Sequence, residues 1–124
     1  MVHAAVEARK HAQAPWSRFK VGAALLSTDG QVFLGANVES ASLGLTCCAE
    51  RVALFKALTE GSQKFLALAV VAPIAGGPSP CGACRQLLVE YAPDAILCCA
   101  DSRKPRDWHQ FVVSELLPNA FLHR

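Results

Sequence analysis

Phe65-Leu66-Ala67-Leu68-Ala69-Val70-Val71-Ala72 is a short, continuous apolar run with no polar residue alternating through it. That pattern is expected of a strand buried on both faces, with other elements packed above and below. Working outward, Ala95 to Ala100 repeats the pattern, and Gly76-Gly77-Pro78-Ser79-Pro80 between the two runs is loop on composition alone. Cys81 to Tyr91 reads as a helix stopped before Pro93, and Cys48 to Leu58 as another that ends near Gly61, a natural C-terminal cap. Further upstream, Phe19 to Thr28 and Val32 to Val38 flank Asp29-Gly30, a strong hairpin signal. Val2 to Gln13 is Ala-rich helix ended by Pro15, Ser102 to Trp108 is loop, and Ser114 to Leu117 is at most one helical turn before Pro118. The order α-β-β-α-β-α-β predicts a single sheet with helices packed on it.

The 124 residues fit one domain spanning 1–124, with no internal repeat, low-complexity tract or interdomain linker. Apolar residues at 52% and charged residues at 18% exclude a disordered, solvating chain. The longest apolar stretch falls far short of the ~18–20 residues of a membrane-spanning helix. Met1-Val2-His3 runs straight into Ala4-Ala5-Val6-Glu7 without the charged start and apolar core of a signal peptide, so a cytoplasmic location is expected. A net charge of +2 with scattered basic residues gives no case for a nucleic-acid partner. The densest cluster, Arg103-Lys104-Pro105-Arg106, lies between Asp101 and Asp107 and reads as a solvated loop.

Six cysteines in so short a chain point to metal ligation or thiol chemistry, because no secretion signal supports disulfides. Two features carry chemistry: Cys48-Ala49-Glu50 and Pro80-Cys81-Gly82-Ala83-Cys84. Both open helices, where free backbone N–H groups and the helix dipole favour thiolate over thiol. At the first turn, residues encircle the end of the helix axis, so Cys48 and Glu50 can both face a site placed there. Three thiolates from two helix starts suit tetrahedral zinc with one open position, the mark of a catalytic site. Such a zinc acidifies its water toward neutrality. Glu50, close by but not a ligand, would move the protons, and Arg51 would offset the surplus sulfur charge. The same arrangement of a three-Cys zinc, a non-ligand Glu and a spaced Pro-Cys-x-x-Cys occurs in zinc deaminases. A redox dithiol and a structural zinc site are the competing readings of the cysteines. The first lacks a strand leading directly into the motif, and the second has no use for Glu50.

The chain resembles the small homotetrameric cytidine deaminases of the three-cysteine zinc type from Ala14 to Phe121. The resemblance is carried by Phe19-Lys20-Val21-Gly22-Ala23-Ala24-Leu25, Asn37-Val38-Glu39, Thr46-Cys47-Cys48-Ala49-Glu50-Arg51, Pro80-Cys81-Gly82-Ala83-Cys84-Arg85-Gln86 and Leu116-Leu117-Pro118. It implies a three-layer α-β-α fold around a single mixed sheet of about five strands. It also implies one zinc ion per chain on Cys48, Cys81 and Cys84, and a homotetramer whose sites are shared between subunits. The implied reaction is hydrolytic deamination of free cytidine and 2′-deoxycytidine to uridine and 2′-deoxyuridine plus ammonia, in pyrimidine salvage. Zinc hydroxide would attack C4 with Glu50 as proton shuttle. Phe19 would line the pyrimidine pocket, and Asn37 and Glu39 would hydrogen-bond the ribose. The N–H of Ala49 and the carbonyl of Ser79 would read the pyrimidine edge, and Phe121 would enter a neighbouring subunit's site.

Two positions depart from the family pattern. Leu43 stands where an aromatic is usual, and Trp16 replaces a Tyr. The first raises the alternative that the pocket takes N4-substituted or antibiotic nucleosides. Cys98 and Cys99 read as buried small hydrophobes in an apolar strand, Cys47 has no partner at ligand spacing, and His3, His11, His109 and His123 read as surface residues.

Overall fold

The computed structural model describes residues 1–122; the surface reading of His123 lies outside them. Five strands form one mixed sheet: β1 (Gly22–Ser27), β2 (Val32–Ala36), β3 (Phe65–Ala72), β4 (Ile96–Asp101) and β5 (Trp108–Val112). Their spatial order is β2-β1-β3-β4-β5, with β3 and β4 parallel and every other pair antiparallel. Helices α1 (Val2–Arg9), α2 (Ala49–Thr59) and α3 (Gly82–Tyr91) complete the fold, with short 3-10 turns at Leu43–Leu45 and Val113–Leu116.

The pleat explains the layers. Ala23, Leu25, Leu68, Val70, Leu97 and Cys99 point to one face and pack with Ala53, Leu54, Ala57 and Leu88 of α2 and α3. The intervening Ala24, Ala69, Val71 and Ala100 point to the other face, against Ala5 of α1. Helices therefore cover both faces, and β3 is buried on both from Leu68 to Ala72, as its unbroken apolar run implied. Each fully buried leucine of this core (Leu25, Leu54, Leu68, Leu88, Leu97) contributes ~1.5–3 kcal/mol of transfer free energy. The α1 face is built almost wholly of alanine, so that helix sits close to the sheet.

Gly35 serves the functional end of the molecule. A Cβ there would lie 2.3 Å from the carbonyl oxygen of Ala49 and 2.6 Å from the amide nitrogen of Ala53. Its absence lets the first turn of α2 rest directly on β2. At its other end α2 closes as expected at Gly61, in a Schellman motif: Ser62 N–H donates to Ala57 C=O and Gly61 N–H to Leu58 C=O.

Three expectations are corrected. Helix α1 stops at Arg9 rather than Gln13, because the Gln13 N–H donates to Asn37 C=O and the Gln13 C=O accepts from Glu39 N–H. The first strand of the hairpin begins at Gly22 rather than Phe19, because the Val21 N–H is taken by the Asn37 side chain at 2.8 Å. Trp108, expected at the end of a loop, opens a fifth strand along β4. The loop before it is solvated as expected, with Arg103 held by Asp101 at 2.8 Å. Cys99 is buried and Cys98, on the α1 face, only half-buried.

Candidate metal centre and active site

Two helix starts meet at one point. Cys48 is the N-cap of α2 and Cys81 the N-cap of α3, where the Cys81 sulfur accepts from the Cys84 N–H at 3.5 Å. Of the two, only the Cys81 side chain satisfies a free N–H of its first turn; the Cys48 sulfur makes no capping bond and is left to the cluster. Cys84, one turn into α3, is fully buried.

The Cys81–Cys84 sulfurs are 3.4 Å apart, the Cys48–Cys81 sulfurs 3.9 Å, and all three lie within 4.8 Å of one another. Thiolates ~2.3 Å from a tetrahedral zinc stand ~3.8 Å apart, so these sulfurs fit that ion with little rearrangement. This is the one group of three such donors among the described residues, and all the cysteines are free.

The electrostatics agree. The neighbouring Cys84 thiol, together with the Arg51 guanidinium, pulls the Cys48 thiol well below its ordinary pKa. The nearby Cys48 sulfur and burial push the Cys84 thiol up. Arg51 donates from Nη2 to the Cys48 sulfur at 3.4 Å and to Thr46 C=O at 3.3 Å. Its buried Nε has no partner among the described residues.

Glu50, in the first turn of α2, is 5% exposed. Burial, reinforced by the charge of Cys48, pushes its carboxyl up to about 7. A carboxyl poised near neutrality beside a metal-binding cluster is suited to both giving and taking a proton.

The other expected residues form a second group joined to the first through the backbone. Asn37 is buried; its Oδ1 accepts from Val21 N–H and its Nδ2 donates to Phe19 C=O, both at 2.8 Å. One amide proton and one lone pair of Asn37 remain free among the described residues. Glu39 accepts from the N–H groups of Trp16 and Ser17 at 3.0 and 3.1 Å and from the Ser17 hydroxyl, which hold its carboxyl below the usual range. Between them, Val38 pairs with Cys47, N–H to C=O in both directions at 3.0 and 2.8 Å, directly before the first cysteine of the cluster. Ala49 is fully buried, Ser79 exposed, and Phe121 protrudes with 74% of its surface free.

Sequence reading assigned no role to Arg85 and Gln86. Arg85 reaches back to the loop before Cys81 and Gln86 donates to Phe121 C=O at 2.7 Å. A signal was present. A cation in the first turn of a helix opposes the helix dipole and stays there only with partners of its own.

Helices on both faces of one mixed sheet, two helix starts converging with three thiols, and a buried carboxyl of raised pKa beside them define a zinc-dependent hydrolytic deaminase. The chain belongs to the cytidine and deoxycytidylate deaminase family, whose zinc-binding-region model matches residues 1–100. A cytidine deaminase of Halalkalibacterium halodurans is 50% identical over 126 residues, covering 98% of this chain and 91% of that one. Another, of Sporosarcina psychrophila, is 45% identical over 115 residues, covering 93% and 84%. The crystal structure of a cytidine deaminase from Burkholderia pseudomallei superimposes with a TM-score of 0.92 at 47% identity, over 97% of this chain and 95% of that one.

Proposed function

We propose that the protein hydrolyses free cytidine and 2′-deoxycytidine to uridine and 2′-deoxyuridine, releasing ammonia, within pyrimidine salvage. The observation that carries this reading is Glu50, a buried carboxyl raised to about 7 in the turn that Cys48 caps. Cys48, Cys81 and Cys84 hold the zinc ion, and Arg51 offsets the negative charge that three thiolates leave on a dication. When bound, zinc supplies a water acidified toward neutrality.

Glu50 does the proton work. Protonated, it donates to N3 of the cytosine ring, which makes C4 electrophilic. As carboxylate it takes both protons of the attacking water in turn, delivering one to the 4-amino group, which leaves as ammonia, and keeping the other as C4 becomes a carbonyl, so that its acid form is restored. The N–H of Ala49, in the first turn of α2 and therefore without a helical acceptor, binds the pyrimidine edge. The carbonyl of Ser79 accepts from the 4-amino group, and Phe19 covers the ring. Asn37 and Glu39 receive the ribose hydroxyls, Asn37 through the proton and lone pair left over from bracing Phe19 and Val21.

Oligomerisation belongs to the same reading. Leu43, Leu45 and Phe121 are 83%, 74% and 74% exposed, which supports a homotetramer in which Phe121 completes a neighbouring site. No helix among the described residues is long and apolar enough to cross a membrane. The free thiols support a reducing compartment, the cytoplasm. The relatives at 45% and 50% identity carry the name cytidine deaminase, which favours the unsubstituted nucleoside over an N4-substituted or antibiotic one.

The test is the ultraviolet absorbance of cytidine incubated with purified protein beside a chelator-stripped sample. The expected outcome is conversion to uridine with one zinc bound per chain, and loss of conversion after stripping. No conversion by a zinc-loaded chain would overturn the cytidine reading.

A further inference from the structure

Arg85 sits one residue past Cys84, yet its guanidinium turns away from the sulfurs. Nε donates to Pro80 C=O at 2.9 Å, Nη2 to the Ser79 hydroxyl at 2.6 Å, and Nη1 to Leu116 C=O at 2.9 Å. One planar cation thus fastens the two residues preceding Cys81 to the 3-10 turn near the end of the chain. The opposite end of the same loop is fixed by Gly77, at a φ of +83°, where a Cβ would stand 2.5 Å from the Ala100 amide nitrogen of β4. With the loop clamped at both ends, the Ser79 carbonyl oxygen has no hydrogen-bond donor among the described residues.

We propose that Arg85 is a positioning residue for deamination: it locks Ser79 and Pro80 against the C-terminal turn and keeps the Ser79 carbonyl free for the exocyclic amine of the substrate. The proposal rests on the cytidine reading. Arg85 acts through the loop and touches neither substrate nor metal. Three separate guanidinium nitrogens each hold one acceptor, so charge alone does not replace Arg85; a lysine ammonium is a point donor on a flexible stem.

The experiment compares wild type, Arg85→Gln, Arg85→Lys and, in case Arg85→Gln folds poorly, Ser79→Ala, which deletes only the hydroxyl acceptor. Four quantities are read: zinc per chain, hydrogen–deuterium exchange of segments 76–81 and 113–117, kcat and KM for cytidine, and inhibition by uridine, which lacks the amine. Expected for Arg85→Gln are faster exchange in both segments and zinc retained. A loss of kcat/KM of about 10²-fold is expected, as for a misplacement near 1 Å. Uridine inhibition should stay within about twofold, because that ligand never used the carbonyl as an acceptor. Arg85→Lys recovers little of the loss, and Ser79→Ala falls between it and wild type.

Unchanged exchange in the two segments overturns the proposal whatever the activity. Full rescue by lysine overturns it too, as does a lower melting temperature with unchanged kcat/KM per zinc-loaded chain. Failure of wild type to deaminate cytidine is a different result: it sinks the substrate reading, while the exchange measurement still decides whether Arg85 holds the loop.

Discussion

The starts of α2 and α3 have the same plan and opposite contents. Each is capped by a cysteine whose sulfur joins the cluster, and each carries an arginine within the first turn, Arg51 and Arg85. At α2 the arginine faces the sulfur and the acidic residue beside it is buried; at α3 the arginine faces away, toward three oxygens of the irregular chain. The difference separates two tasks. On the proposed reading, the α2 turn sets charge and proton transfer, and the α3 turn sets shape.

The comparison breaks most visibly at Glu50. Glu50→Ala should lower kcat for cytidine by about 10⁴-fold, the upper end of general acid–base catalysis, with zinc content unchanged by metal analysis. A loss of zinc instead would mean that the α2 turn does not divide its charge from its chemistry. Next in size is Arg51→Gln, which removes the cation from the Cys48 sulfur. Its zinc affinity, titrated against a chelator, should fall about 10- to 100-fold.

A smaller contrast tests the seating of the two helices. Gly35→Ala drives a methyl into the backbone under α2 and should cost about 1–3 kcal/mol in chemical denaturation. Gly82→Ala at the start of α3, where a Cβ would meet nothing within 4 Å, should be neutral or stabilising by up to about 1 kcal/mol. The smallest effect lies away from both turns. Arg103 hydrogen-bonds hold the Asp101 carboxyl down to about 2, below its ordinary 3.8. Its contribution is therefore present above pH ~4 and lost as pH falls toward 2. Asp101→Asn should lower the denaturation midpoint slightly at pH 7 and flatten the loss of stability between pH 4 and pH 2.

Much of this was legible in the sequence because it rests on local rules. The run Phe65–Ala72 announces a doubly covered strand, and Gly61 announces the end of α2. A cysteine before Ala-Glu and a Cys-x-x-Cys after a Gly/Pro loop announce two helix starts with thiols. Strand β5 was not legible. Trp108 to Phe111 are all exposed, so this edge strand shows neither alternation nor an apolar run. The limits of α1 and β1 were hidden for another reason. They are set by Asn37, whose side chain and backbone claim groups of Phe19, Val21 and Gln13 from across the fold. Arg85 was hidden likewise, since its acceptors Pro80 and Leu116 are not neighbours in the chain.

Val38 has a consequence of another kind. Its side chain is half exposed and touches no chemistry, while its backbone is stitched to Cys47, and its neighbours Asn37 and Glu39 to Gln13. The position is therefore a splice in which the letter is free and the main chain is not. Replacing the letter should pass unnoticed in a screen of side chains, from threonine to lysine. Proline alone, which deletes the N–H given to Cys47, should loosen the nucleoside end from the metal end and make one rigid floor into two.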